Sequence, residues 1–297
     1  MGFYAPATIL DDSRRHGLEI RAIDVQHSSW ECTLEERSPA SRILKHDPKD
    51  RTETNSTGPG KALRWALRMG LSYVRGLSID DRIALENNPP PYTGLDDFVR
   101  RSGLGHDSLH ALAEAGAFDS FGYSRREAIW RARGLATQAN DRLALEDLSD
   151  LPLFADLNQH EAVLWDYKRS AHSTRGHPLS ALRPKLQRLQ ILDAVTIRGL
   201  RDGVSVEIVG LAICRQRPAT ASGVTFYTLE DETGFVNVIV WARVFERYAT
   251  VAKTAAVLGV SGRIQRSREG VVHVIADTLW EALAQIRERG REALKRA

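Results

Sequence analysis

The first 35 residues contain a helical spacing of apolar positions followed by an alternating one. Residues 5–16 predict a short helix, because Pro6 lies in its first turn and Gly17 lies just past its end. Apolar residues between positions 18 and 25 then predict a strand. A second extended piece is predicted around Trp30, Cys32 and Leu34, which recur with period two.

The pattern changes several times further along the chain. Residues 36–61 are mostly Ser, Pro, Asp, Lys, Thr, Asn and Gly, which predicts a polar loop or linker. Residues 62–135 have a helical period with short Gly-centred breaks. The predicted organisation is an α/β segment at 1–35, the loop at 36–61, a helical module at 62–135, a hinge and connecting segment at 136–194, a β-domain at 195–280 and a C-terminal helix at 281–297.

The β-domain has the strand order of a small barrel. Strands are predicted at 204–216, 224–229, 235–241, 257–265 and 271–276, with one helix at 244–254. Three strands, a helix and two strands is the chain order of the five-stranded OB-fold barrel. The predicted fold class is therefore multi-domain α+β, in which a helical module precedes a five-stranded OB-fold β-barrel.

Alternation along the third strand separates an aliphatic face (Val236, Val238 and Val240) from a face of mixed aromatic and polar side chains. OB-folds stack bases on the outer face of strands two and three and bind the phosphate backbone with basic side chains. For a single aromatic, packing against a helix or a neighbouring domain is the more common role. For the module as a whole, oligonucleotide binding is typical. The DNA-binding candidates are Arg215, Arg217, Phe226 or Tyr227, Asn237, Trp241, Arg263 and Arg266.

Two Gly-containing breaks, at 73–78 and 101–106, separate apolar helical runs in the helical module. In a helix-hairpin-helix motif, a tight Gly turn directs backbone N–H groups and a helix N-terminus at a DNA phosphate. An ordinary helical bundle with Gly turns has the same spacing. If the breaks are hairpins, the DNA-binding candidates are Gly76, Leu77, Gly103 and Gly105.

The composition of the chain excludes few classes of function. The 297 residues carry 41 Lys+Arg and 38 Asp+Glu, so the net charge of +3 does not by itself indicate nucleic-acid binding. Cys32 and Cys214 lie far apart, which argues against a disulfide framework or a structural zinc site. His106 and His110 have no third ligand nearby, so no metal site is predicted. The chain has no long apolar run and no secretory pattern, which predicts a cytoplasmic protein without a membrane partner.

Several short segments, in order along the chain, match one known family. They include Gly-Leu-Ser-Tyr-Val-Arg-Gly-Leu at 70–77 and Leu-Ala-Glu-Ala-Gly-Ala-Phe-Asp at 112–119. The others lie at 1–8, 14–17, 24–25, 175–179, 215–218, 228–234 and 240–241. Together they resemble the bacterial C-family DNA polymerases, in particular the error-prone form of the DNA polymerase III alpha subunit.

That resemblance implies the end of the fingers region for 1–35, a tandem helix-hairpin-helix region on duplex DNA for 62–135, and an OB-fold near the single-stranded template. In the family, the Asp residues that bind Mg²⁺ lie in the palm, upstream of the matched region. The resemblance therefore implies a DNA-binding portion of an error-prone DNA-directed DNA polymerase, a nucleotidyltransferase associated with replication past DNA damage and with repair. This portion is expected to be inactive alone, with no catalytic residue, cofactor or metal ligand of its own.

One peptide in the hinge is similar to a known interaction motif. Asp-Leu-Pro-Leu-Phe at 150–154 is similar to short peptides that dock on the sliding clamp, with Leu151, Leu153 and Phe154 as anchors. The expected partners are template and primer-template DNA, with the clamp or other translesion polymerase subunits as further candidates. The alternatives are a stand-alone OB-fold protein that binds single-stranded DNA or a polymerase, and a decayed gene remnant.

Overall fold

The structure is a computed structural model that describes residues 5–37, 64–140, 155–218, 220, 223–267 and 269–296. It divides into two compact units: Leu10–Arg175, and Gly176–Ala297 together with Met1–Ile9. The division falls inside the predicted connecting segment 136–194. Most of the polar loop predicted at 36–61 and the anchors Leu151, Leu153 and Phe154 lie outside the described residues.

The unit Leu10–Arg175 combines a small sheet with a set of helices. In the sheet, strands lie in the order β1-β3-β2, with β1 parallel and β2 antiparallel to β3. Its described elements, beginning with the helix that starts in the other unit, are α1 (Pro6–Arg15), β1 (Glu19–Arg21), β2 (Thr33–Glu36), β3 (Trp65–Arg68), 3-10 turns at Leu71–Tyr73 and Asp119–Phe121, α2 (Ile79–Asn87), α3 (Leu95–Ser102), α4 (His106–Ala115), α5 (Arg125–Asn140) and α6 (Gln159–Ser170).

The sequence predictions for this unit are partly confirmed. The helix at 5–16 forms as α1, and the strand at 18–25 forms as the shorter β1. The block at 62–135 is not wholly helical, because it begins with the strand β3. The piece around Trp30, Cys32 and Leu34 becomes a strand only from Thr33. Both differences follow from the long-range pairing that makes β3 the central strand, which local periodicity does not report.

Helices α3, α4 and α5 pack around the main core of this unit. Phe98 on α3 and Leu109 and Leu112 on α4 are fully buried, together with Phe118. The rings of Phe98 and Phe118 meet edge to face, with their centroids 5.3 Å apart. This core fixes the turn that connects α3 to α4.

The second unit is built around a closed five-stranded barrel with strand order β4-β5-β6-β8-β7. The pair β6–β8 is parallel and the other pairs are antiparallel. Its elements are α7 (Arg183–Arg188), α8 (Ala194–Gly199), β4 (Ser205–Gln216), β5 (Thr225–Asp231), β6 (Gly234–Val240), α9 (Ala242–Arg247), α10 (Ala249–Thr254), β7 (Val257–Arg266), β8 (Val272–Glu281) and α11 (Ala282–Arg296).

The barrel confirms the predicted fold class. Its strands lie where the sequence predicts them, and Val236, Val238 and Val240 are buried in its core. The helix predicted at 244–254 is wrong in one respect, because it consists of two short helices on either side of Tyr248. Across the described ranges, no helix is both long and apolar enough to cross a membrane.

A buried carboxylate holds the β5–β6 turn. The Oδ1 atom of Asp231 accepts hydrogen bonds from the backbone N–H and hydroxyl of Thr233 and from the N–H of Gly234. Its Oδ2 atom accepts from the N–H of Ala194 on α8 and from the guanidinium of Arg183 on α7. Asp231 therefore connects both helices that precede the barrel to the hairpin of β5 and β6.

Candidate nucleic-acid interface

The outer face of β5 and β6 exposes a row of side chains that point away from the barrel core. We define it by Phe226, Thr228, Asn237, Ile239 and Trp241. Phe226 pairs with Ile239 across the two strands, and Thr228 pairs with Asn237. Trp241 is 54% exposed and Phe226 is 38% exposed. The face therefore offers two accessible aromatic rings to a ligand.

A guanidinium lies at the same end of the face as Trp241. The Cζ atom of Arg217 lies 4.8 Å from the centre of the Phe245 ring, one turn into the helix that follows Trp241. A Cβ atom on Gly223 would lie 3.1 Å from Ala242 Cβ and 3.4 Å from Arg217 Nη2. Ala242 and the Arg217 guanidinium thus both lie close to Gly223. Since Ala242 follows Trp241 in the chain, the Arg217 cation lies near Trp241.

Two sequence candidates belong to the barrel interior or its end. Tyr227 is 1% exposed, and its hydroxyl donates to the carbonyl oxygen of Ala252 at 2.8 Å. Burial raises the pKa of this phenol, against the smaller opposing effect of Arg215. Since neighbouring residues on a strand face opposite sides, Phe226 faces outward and Tyr227 inward. The choice left open by the sequence is therefore decided in favour of Phe226.

Arg215 lies opposite Tyr227 in the register and shares its side of the strand pair. Its guanidinium lies above the Tyr227 ring, 5.9 Å from the ring centre, and donates to the carbonyl oxygen of Ala255. Arg215, a DNA-binding candidate of the sequence, therefore does not lie on the outer face. Its side chain covers the end of the barrel next to α10.

Arg263 and Arg266 lie on the same strand but in different surroundings. Arg263 pairs across β7 with Ser205 on β4 and with Ile275 on β8, and its Nε lies 3.8 Å from the carboxylate of Asp277. Since β7 does not pair with β5 or β6, Arg263, a DNA-binding candidate of the sequence, lies away from the outer face. Arg266, in contrast, lines a cavity together with Asn237.

The second Gly break is a turn between two α-helices. Gly103 adopts a left-handed φ of +62° at the end of α3, and Gly105 precedes α4 without any side-chain cap. Leu104 between them is buried. Within the described residues, no atom beyond the glycine and its chain neighbours lies within 4 Å of the position that a Cβ on either glycine would occupy. Both glycines and the first two residues of α4 are exposed, so a ligand can reach this turn.

The first Gly break has a different structure from the second. Gly76 and Leu77 follow the 3-10 turn Leu71–Tyr73, so no α-helix leads directly into them. The N-terminus of α2 is already occupied by the carboxylate of Asp81, which accepts from the N–H of Ser78 at 2.7 Å. The same carboxylate accepts from the hydroxyl of Ser108 on α4 at 2.9 Å. Asp81 thus lies close to the starts of both α2 and α4 and does not distinguish the two breaks. A DNA contact at Gly76 and Leu77 stays a prediction.

Sequence reasoning did not identify Arg198, which lines the cavity beside the outer face. Arg198 on α8 lines the same cavity as Asn237 and Arg266, although it precedes the barrel by several residues. No local pattern marks it, since its approach to β6 depends on the Asp231 contacts that position α8. Among the described residues, no group of three or more His, Cys, Asp or Glu side chains is arranged to hold a metal ion.

Comparisons with known proteins match both units. A family model described as a helix-hairpin-helix motif matches residues 17–128, and one described as an OB-fold nucleic acid binding domain matches residues 204–282. The chain is 37% identical over 305 residues to Error-prone DNA polymerase 1 of Agrobacterium fabrum, covering 97% of this chain and 26% of the relative. It is also 37% identical over 282 residues to the error-prone DNA polymerase of Methylococcus capsulatus, covering 94% and 26%.

The chain thus spans about a quarter of the length of the curated relatives that it matches. Among solved structures, asparaginyl-tRNA synthetase from Pyrococcus horikoshii aligns with a TM-score of 0.28 and 19% identity, over 32% of this chain and 22% of that one. This TM-score is too low to compare the two proteins further.

Proposed function

Because the chain is a homologue of the error-prone DNA polymerases over about a quarter of their length, we propose that it is a DNA-binding portion of such an enzyme. Its barrel binds the single-stranded template, and the turn between α3 and α4 contacts the primer-template duplex. The observation that carries the proposal is the outer face of β5 and β6, where Trp241 and Phe226 are exposed beside the cation of Arg217.

The chemistry of the outer face suits a single strand. Exposed aromatic rings stack on bases of any sequence, and a neighbouring guanidinium binds the phosphates between them. Both matched family models describe parts that occur in nucleic-acid binding. The turn at Gly103–Gly105 adds a backbone contact of a different kind, because uncapped N–H groups at a helix start attract a phosphate without any basic side chain.

In this proposal the chain binds DNA but does not polymerise nucleotides alone, since the family's metal-binding carboxylates lie in the palm. Mg²⁺ would then act in the palm and not in this chain. A primer-extension assay with the purified chain tests this point, and incorporation of nucleotides would contradict it. Binding to the sliding clamp through Leu151, Leu153 and Phe154 stays a prediction, as does a role in synthesis past damage or in repair in the cytoplasm.

The binding proposal is tested by fluorescence anisotropy with a labelled single strand and a matched duplex, titrated over salt. Affinity for the single strand should fall with salt, because phosphate contacts release counterions. Trp241→Ala should weaken single-strand binding by about 5- to 150-fold, which corresponds to ~1–3 kcal/mol of stacking per base. Trp65→Ala is the matched control, since Trp65 is similarly exposed on a sheet of the other unit.

A second pair of variants tests the cation. Arg217→Ala should weaken binding and flatten the salt dependence, whereas Arg263→Ala, which removes an exposed guanidinium away from the outer face, should do neither. If the two substitutions weakened single-strand binding equally, the affinity would depend on the net charge of the chain and not on the position of the cation. Failure of the unaltered chain to bind any single strand at low salt would refute the proposal.

A further inference from the structure

A cavity of about 310 Å³ lies beside Asn237 on the outer face of β6. Four parts of the barrel unit line it: Phe235 and Asn237 on β6, Arg198 on α8, Arg266 at the end of β7, and Val271 in the turn before β8. This volume is at the lower end of the range for small-molecule sites, about 300–1,000 Å³. It suits a single planar group, with the Phe235 ring and Val271 as apolar walls.

The two guanidinium groups in the wall are held in place by backbone carbonyls. Arg198 donates from Nη2 to the carbonyl oxygen of Thr233 at 3.3 Å. Arg266 donates from Nη2 to the carbonyl oxygens of Arg198 at 2.6 Å and Leu200 at 2.9 Å. A Cβ at Gly234 would lie only 2.4 Å from Arg198 Nη2, so glycine at that position leaves room for the guanidinium. Both cations are therefore fixed before a ligand arrives.

Asn237 presents its amide nitrogen on the side of the cavity. Its Oδ1 atom accepts from the hydroxyl of Thr228, 3.3 Å away on β5. The cavity lies on the other side of β6, next to the start of β8, as Val271 and Val272 in its wall show. A hydroxyl both donates and accepts, so it is when Thr228 donates to Oδ1 that Nδ2 is turned toward the cavity.

The polar groups that face this cavity are thus hydrogen-bond donors. Guanidinium groups have no acceptor, and none of the described residues that line the cavity is acidic. A ligand with acceptor atoms on its edge satisfies these donors. A ligand that presents N–H groups at the same place would leave the donors of the cavity and of the ligand unpaired. Binding would then cost the desolvation free energy of those unpaired groups.

We infer that this cavity receives one unstacked base of the bound strand and selects a base with a keto oxygen, thymine or guanine, over adenine. Guanine presents O6 and N7 as acceptors and thymine presents O4, whereas adenine presents an amino group at the corresponding position. Asn237 is then a specificity-determining residue, distinct from the rings of Phe226 and Trp241, which stack on any base. The inference rests on the proposed binding of single-stranded DNA by this face.

The test uses 15-nucleotide probes in which abasic positions alternate with either hypoxanthine or adenine. The two bases have the same purine rings, which keeps their stacking similar. They differ at position 6, which is a keto oxygen or an amino group, and at N1, which carries a hydrogen in hypoxanthine only, so the comparison reports on the whole position-6 edge. The full chain should bind the hypoxanthine probe at least about fivefold more tightly, the equivalent of one lost hydrogen bond. Equal affinities for the two probes would overturn the inference.

Three variants test whether the preference for hypoxanthine over adenine depends on Asn237. Asn237→Ala should bring the ratio of the two affinities toward one. Asn237→Asp replaces the donor with an acceptor and should shift the ratio toward adenine, whatever uniform loss its charge causes. Trp241→Ala should weaken both probes by the same factor and leave the ratio unchanged. Asn237 is exposed, so these substitutions leave the barrel core intact, which thermal unfolding checks.

Two further outcomes are distinguishable. An entirely abasic probe that binds as tightly as the hypoxanthine probe would show that binding depends on phosphates alone, which overturns both the inference about bases and the stacking role of Trp241. Absence of binding to every probe and to ordinary single strands would instead refute the proposed function. A preference for hypoxanthine that survives Asn237→Ala would assign it to the guanidinium groups and overturn the role of Asn237.

Discussion

Replacement of Asp231 by Asn tests whether one carboxylate fixes the position of the outer face. The side chain of Asp231 is fully buried and accepts the five hydrogen bonds described above. Asn has the same shape and keeps the three contacts of Oδ1 with the turn. Its amide nitrogen, however, would face two donors, Arg183 Nη2 at 3.1 Å and Ala194 N at 2.8 Å.

The expected loss follows from these two contacts. Arg183 keeps its ion pair with Glu232, so the loss comes from the two contacts of Oδ2. Each hydrogen bond to a charged group contributes roughly 1.5–3 kcal/mol, and we therefore expect Asp231→Asn to lower the free energy of unfolding of the barrel unit by about 3–5 kcal/mol. Single-strand affinity should fall as well, because α8 carries Arg198 into the cavity.

Urea denaturation, followed by tryptophan fluorescence and circular dichroism, measures this loss. Glu232→Gln is the matched control, because Glu232 pairs with the same arginine but is partly exposed and should matter less. The double variant Asp231→Asn with Arg183→Met should cost less than the sum of the single losses, since the two groups interact directly. A loss below about 1 kcal/mol, or strict additivity, would refute the reasoning.

Three other predictions concern separate parts of the chain. Gly105→Asp should reduce duplex affinity in the anisotropy assay, because its carboxylate would repel a phosphate, and it should not lower stability, because the same carboxylate would cap α4. Gly105→Ala is the control and should change duplex affinity less. The hydrogen bond from Arg289 lowers the pKa of Glu207 against the opposing effect of burial. The pair therefore stabilises the barrel at a pH above the ordinary Glu pKa near 4.5, and this stabilisation is lost as the pH falls through the lowered pKa. The difference in unfolding free energy between the unaltered chain and Arg289→Ala should shrink on acidification, and a difference independent of pH would contradict this. A fragment that begins at Gly176 should be folded and melt at a higher temperature than one that begins at 191, which lacks Arg183; equal melting temperatures would contradict the role given to that residue.

Much of the barrel could be predicted from the sequence because its signals are local. The alternation of Val236, Val238 and Val240 with more polar neighbours reports a strand with one buried face, and Gly234 marks the turn before it. The same alternation placed Asn237 and Trp241 on the outer face. Gly103 at the end of α3 was recognisable for a similar reason, since a left-handed helix end favours Gly.

The features that the sequence did not reveal depend on contacts between residues far apart in the chain. Arg215 and Arg263 are basic residues on barrel strands, but only the tertiary structure shows that Arg215 lies over the Tyr227 ring and that Arg263 lies on a strand paired with neither β5 nor β6. The first Gly break at Gly76 looks like the second in sequence. It differs in the structure because a 3-10 turn, and not an α-helix, leads into it.

By itself, then, the sequence determined the periodic elements, the barrel's strand order along the chain and the face on which its exposed rings lie. These features follow from spacing, which is a property of neighbouring residues. Only the tertiary structure decided which cations accompany the rings and which donors line the cavity at Asn237. That choice depends on closure of the barrel and on the buried carboxylate of Asp231, which brings α8 against β6 through contacts that no local pattern encodes.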